Sequence, residues 1–322
     1  MIGSNDMIRF FTKIVLFSIF PITSFWLVLF FDQGRTDSFY RRFTTPKQSA
    51  LIIGNSKAAQ GIVPNVLDAE LMELFNAPIY NYSFSVNNSP YGSIYLNSIK
   101  RKLDENARGS YFIVTIDPWG ISSYKEDPND TSIFDENNKF LHEVKKVDLD
   151  PNWYYLNGHY KNSFYEIPLQ WLRPGPSKLH DNGWFETKRE MSENAISYRT
   201  GVMVEMFEGY LREFTFSEVR LKYLMETILF LKNFGEVYLV RMPLEKPILQ
   251  IEERLMGDFD QLMMEFSSDL EVPYIDFTKQ ETSYEFKDGL HLSSKSARAF
   301  TADLANWIKL NSSSAVTTIT SK

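Results

Sequence analysis

The sequence predicts an α/β fold: a three-layer α/β/α sandwich built on a five-stranded parallel sheet. Two observations carry that expectation. Five short apolar runs alternate with amphipathic segments between residues 49 and 310. Strands interleaved with helices pair in parallel and are covered on both faces. Composition agrees: 43% hydrophobic and 23% charged residues are close to the globular average. This excludes a disordered chain, a collagen-like fibre and a multi-span membrane protein. A length of 322 residues leaves room for one large domain or two ordinary ones.

The elements follow in order. After a short segment 1–13, residues 14–31 run without a charge, and Phe10 and Phe11 extend the run across Lys13, which can snorkel. A spanning helix needs about 20 apolar residues, and Pro21 is tolerated inside a membrane helix. A signal peptide has a shorter apolar region followed by small residues. Here the run ends Phe-Phe-Asp-Gln-Gly, so 14–31 reads as an uncleaved transmembrane anchor in contact with the lipid bilayer. Arg9 and Lys13 precede it, whereas Arg35, Arg41, Arg42 and Lys47 follow it, so basic residues do not favour an inside N-terminus. Long downstream domains translocate largely regardless of charge, which places the body of the chain outside the cytoplasm, at the envelope. Residues 32–47 read as a linker and 48–310 as the α/β domain. Strands are expected at 49–54, 78–82, 111–116, 236–241 and 272–277. Helices are expected at 64–75, 91–105, 217–234, 248–266 and 294–310, from apolar residues spaced i, i+3 and i+4. The Ser/Thr-rich tail 311–322 is expected to be disordered.

Several chemistries are excluded. The net charge is −7, and a net-acidic chain without a dense basic block is a poor nucleic-acid binder. The chain has no cysteine, which rules out disulfides, thiolate-bound metals and thiol nucleophiles. Four histidines, His142, His159, His180 and His291, are the whole imidazole supply. Neither His159 nor His180 falls in a recognisable ligand spacing, so no metal site is expected. No Gly-rich phosphate loop or dinucleotide fingerprint is present, and no cofactor is expected.

In parallel sheets the functional loops gather at the carboxyl ends of the strands. Ser56 follows the first strand in Gly54-Asn55-Ser56 and opens a helix. It reads either as part of a helix cap or as an exposed hydroxyl beside amides able to stabilise an oxyanion. Asp288-Gly-Leu-His291 lies between the last strand and the last helix. It reads either as an Asp-Gly turn with an incidental histidine, or as a carboxylate orienting an imidazole base. One sheet edge would hold both segments, which favours the second reading of each.

These two segments resemble the first and last sequence blocks of the SGNH (GDSL-like) hydrolase superfamily, with Asn55 where the family has Asp. The resemblance covers about residues 48–310. It implies an SGNH/flavodoxin-like sheet, with Ser56 as nucleophile, His291 as general base and Asp288 as orienter. For the oxyanion hole it implies the N–H of Ser56, the N–H of Ser83 where the family has glycine, and Asp117 where the family often has asparagine. With these departures the pattern is closer to a divergent, membrane-anchored branch, similar to the D-alanine transfer and alginate O-acetylation proteins. That branch implies acyl transfer onto cell-envelope polysaccharide beside a membrane-bound O-acyltransferase.

About 100 residues, 118–213, interrupt the α/β rhythm, too long for an ordinary connection. Nine aromatics fall within 151–185 without helix or strand period. They read either as a private core or as a lid over Ser56, in which Trp119, Trp153, Tyr155, Trp171 and Trp184, with Arg241 from a strand end, would bind substrate. Three function classes follow: a serine esterase or O-acyltransferase, a catalytically inactive module of the same fold, and an anchored polysaccharide-binding or assembly protein.

Overall fold

The computed structural model describes residues 4–313 apart from Phe31, Gln33, Asn76, Lys161, Phe164, Glu281 and Thr282. Residues 314–322, most of the expected tail, lie outside the described residues, as does Phe164 of the aromatic segment. Helix α1 (Ser4–Phe30) begins ten residues before the charge-free run. It is long and apolar enough by length and composition to cross a membrane, and it is scarcely buried in the protein.

Residues 32–47 are not a free linker, which corrects the sequence reading. The Asp37 carboxylate accepts the N–H groups of Phe39 and Tyr40 at 2.8 Å each and starts a 3₁₀ turn at Tyr40–Phe43. The buried Arg42 donates to the carbonyls of Ser38, Asn81 and Gly183. Phe43 stacks on Tyr155 with centroids 5.2 Å apart. The mixed composition hid three large side chains that the core absorbs.

Strand β1 (Ala50–Ile53) leads into helix α2 (Ser56–Gly61) and helix α3 (Pro64–Leu71). Strand β2 (Ile79–Asn81), helix α4 (Ser93–Lys102) and strand β3 (Ser110–Thr115) follow. The insertion contains helix α5 (Glu193–Glu213). Helix α6 (Glu218–Lys232), strand β4 (Gly235–Arg241), helices α7 (Lys246–Leu255) and α8 (Phe259–Asp269), strand β5 (Tyr274–Asp276) and helix α9 (Ser294–Asn311) complete the fold. The single helix expected over 248–266 is two. Met256, extended at φ −154° and ψ 86°, and Gly257 break it.

The sheet is wholly parallel in the order β2-β1-β3-β4-β5. The order reverses direction beside β1, and the crevice at the carboxyl ends of β1 and β3 is where such sheets bind ligands. Alternate strand residues face opposite layers. Leu51, Ile53, Phe112 and Val114 pack with Ile99 of α4 and Leu224 and Ile228 of α6. Ala50, Ile52, Ile113 and Val240 pack with Leu67 of α3 and Phe300 and Leu304 of α9. The insertion is rooted by an antiparallel ribbon, Ser122–Tyr124 against Phe214–Phe216. Its 21-residue helix α5 packs on α7.

Candidate active site

Gly54 follows β1 so close to β3 that an added Cβ would stand 1.8 Å from Thr115 Oγ1, and only glycine fits. Asn55 then caps α2, its Oδ1 accepting the N–H of Lys57 at 3.0 Å. The cap belongs to Asn55, which leaves the Ser56 hydroxyl free for other chemistry. That hydroxyl lies 2.9 Å from His291 Nε2.

His291 is aimed by its own loop. Asp288 accepts the N–H groups of Leu290 (3.1 Å) and His291 (2.8 Å) in a tight turn. The same carboxylate meets His291 Nδ1 at 2.9 Å through Oδ2 and 3.1 Å through Oδ1. Burial raises the Asp288 carboxyl, but the hydrogen bonds and charge of His291, with the two backbone N–H groups, reverse this and hold it at about 2. Asp288 is therefore a fixed anion with its partner on Nδ1, and Nε2 faces the serine. That is the geometry by which a hydroxyl loses its proton to an imidazole as it attacks carbon.

Beneath the serine runs a chain of buried charge. Lys57 Nζ lies 2.9 Å from both Asp117 Oδ2 and Glu252 Oε1. Glu252 pairs with Arg241 at 3.1 Å, and Arg241 with Asp276 at 3.2 Å. Asp117 also accepts from Asn55 Nδ2 at 2.6 Å and from the N–H of Gly120 at 2.9 Å. Burial opposes the charge on both Lys57 and Asp117. Their attraction outweighs it, raising the lysine above and lowering the aspartate below its ordinary value. Single-sequence reasoning passed over Lys57 and Glu252; the one signal was a lone cation between Ser56 and two alanines.

A cavity of about 190 Å³ opens above Ser56 and His291. Its apolar wall is Val86, Trp119, Leu290 and the α5 residues Met203, Met206 and Phe207. Those α5 residues, with Tyr210, repeat at helical spacing on the face turned to the site. This corrects the expected lid: Trp153, Tyr155, Trp171 and Trp184 do not line the cavity, and Trp119 alone of the expected aromatics does. Tyr155 is buried beneath Tyr40 and Phe43, and Trp184 Nε1 donates to the carbonyl of Gln60. Trp153 and Trp171 are on the surface. Arg241 is buried among carboxylates and does not face the cavity.

The expected oxyanion donors also change. The Ser83 N–H is taken by Asn81 Oδ1 at 3.2 Å and its hydroxyl by the Ile52 carbonyl, so Ser83 is a structural residue. Asp117 is an acceptor throughout, its charge met by Lys57. The N–H groups of Ser56, Ser85 and Val86 make no hydrogen bond to a described residue, and all three residues line the cavity. His159 and His180 pair with Glu143 and Glu186, away from the site.

No protein-family model and no curated protein matches the chain. Solved structures similar to it include a carbohydrate acetylesterase, Est24, from Sinorhizobium meliloti, with 12% identity and a TM-score of 0.40, covering 83% of this chain and all of that one. A member of the lipolytic G-D-S-L family from Veillonella parvula is 10% identical with a TM-score of 0.38, covering 80% and 96%. An aryl esterase from M. smegmatis is 11% identical with a TM-score of 0.37, covering 81% and 97%.

Proposed function

We propose that the chain is a membrane-anchored serine acyl-ester enzyme of SGNH type, an esterase or O-acyltransferase working through Ser56, His291 and Asp288. The observation that carries the reading is the continuous line from Ser56 Oγ through the His291 ring to Asp288, with contacts of 2.9 Å on either side of the ring. Ser56 Oγ attacks the ester carbonyl as its proton passes to His291 Nε2. The oxyanion is met by the N–H groups of Ser56 and Val86. The tetrahedral intermediate collapses, the C–O bond to the alcohol breaks, and Nε2 returns the proton to the leaving oxygen. Water, or a sugar hydroxyl, then attacks the acyl-serine with His291 as base, giving hydrolysis or transfer. Lys57 cancels the Asp117 charge beside this oxyanion, which an unpaired buried carboxylate would repel.

The apolar wall selects the acyl side. An apolar cavity of about 150 Å³ holds a benzene-sized group, so this one holds an acyl chain of about six carbons. The acceptor or alcohol is an envelope polysaccharide hydroxyl, and a membrane-bound O-acyltransferase is the partner that would supply acyl groups to the same face. The test is fluorophosphonate labelling and aryl-ester turnover by the whole chain in detergent. Label on Ser56 that is lost in Ser56→Ala is the expected result. Undiminished turnover by Ser56→Ala overturns the reading, and no turnover by either protein favours an inactive polysaccharide-binding module.

A further inference from the structure

The aromatic segment left out of the active site has a position that gives it another use. From Asn5 to Thr23 the side chains of α1 stand clear of the protein apart from the half-buried Ser18; Phe17 is 79% and Phe20 77% exposed. Among the described residues, the helix meets the body in its last turns. Leu29 is buried in the core, and Trp26 sits edge-on to Trp153 at 4.7 Å. The foot of the helix also packs on the short helix Glu166–Leu172.

Around that foot the surface is apolar. Tyr155, Leu156 and Ile167 face inward, while Trp153, Tyr154, Tyr165, Leu169, Trp171 and Leu172 face outward, Leu172 at 80% exposure. Large apolar side chains exposed on both segments that meet the foot of α1 are unfavourable in water and mark this collar as an interaction surface. Tryptophan and tyrosine concentrate where hydrocarbon meets headgroups, because their rings are apolar at one end and polar at the other. Depth agrees with chemistry. Phe10 to Leu29 is about 20 residues and about 30 Å at 1.5 Å per residue, the thickness of the hydrocarbon core. A helix inserted to that length brings Trp26, Trp153 and the collar to the boundary. Arg35, held to the Gly175 carbonyl, and the exposed Arg173 follow α1 and the helix Glu166–Leu172 closely in sequence, and long basic side chains near a membrane boundary reach to the headgroups.

We infer that the outward faces of the helix Trp153–Gly158 and of Tyr165–Leu172 form a lipid-binding surface that rests on the bilayer around the foot of α1 and fixes the tilt of the α/β domain above it. This rests on the membrane-anchor reading of α1. The chain contains no cysteine, so single-cysteine variants of the whole protein in phosphatidylethanolamine–phosphatidylglycerol nanodiscs take one spin label each. Leu172→Cys and Tyr165→Cys report the collar, Phe17→Cys reports α1, and Met264→Cys and Met72→Cys, both on exposed side chains, serve as references. The collar labels are expected to be at least threefold less accessible to a water-soluble nickel quencher than both references, and more accessible to oxygen. Collar labels as water-accessible as the references, with the Phe17 label buried in lipid, overturn the inference and leave the anchor standing. A Phe17 label in water overturns the anchor and, with it, the placement of the collar at the foot of a spanning helix.

Discussion

His291 Nε2 is the described hydrogen-bond partner of the Ser56 hydroxyl, and the helix cap is made by Asn55. Ser56→Ala should therefore lower turnover by at least about 10³-fold while shifting the denaturation midpoint little, since no cap is removed. His291→Ala should match it, and the double variant should be scarcely worse, because such groups act as a unit; burst kinetics on an aryl ester would measure all three. Asp288→Asn keeps the imidazole and should retain more activity than either. The Asp288 carboxyl, at about 2 in the fold against an ordinary 3.8, contributes stability above about pH 4 that is lost as pH falls through about 2. The stability gap between the wild type and Asp288→Asn should therefore narrow between pH 4 and pH 2 in urea titrations. Lys57 separates two buried carboxylates. Lys57→Met should cost about 3–5 kcal/mol, the range for breaking a buried pair by deleting one partner, and adding Asp117→Asn should restore part of it.

At the level of elements, the proposed reading gives the choice of acyl group to α5. Its Met203, Met206 and Phe207 wall the cavity, so a series of p-nitrophenyl esters should give the highest kcat/KM near butyrate to octanoate. Met203→Trp should shift the optimum to acetate by filling that space; an unchanged profile would show that α5 does not bound the acyl pocket. This helix is also where sequence reading failed. Residues 203, 207 and 210 have helical spacing, yet they lie in a stretch that the neighbouring aromatic cluster made look irregular. Strands β1, β3 and β4 were legible because each is a continuous apolar run buried on both faces. Ser56 and His291 were legible because the loops after β1 and before α9 must share one sheet edge. The buried chain from Asp117 to Asp276 was not legible. Its partners lie far apart along the chain, and no local period records a contact between Lys57 and Glu252.

Across the whole molecule, the N-terminal helix and the domain share side chains. Leu29 is 5% exposed and belongs to the same core as Leu51 and Phe112, and Trp26 packs on Trp153. A signal sequence destined for removal gains nothing from such contacts. A permanent anchor would, because under the proposed reading they join the axis of the helix to the sheet and make the domain's orientation on the bilayer a property of the fold. The protein recovered from membranes of an expressing bacterium should therefore resist carbonate extraction and have a mass that includes residues 14–31. Leu29→Ala should lower domain stability by about 2–5 kcal/mol, as buried leucine truncations do, although residue 29 lies in the N-terminal helix. A mature N-terminus beyond residue 31 in intact-mass measurements would instead identify the helix as a removed leader. In that event Leu29→Ala would leave the mature domain unchanged, so mass and stability test the same junction independently.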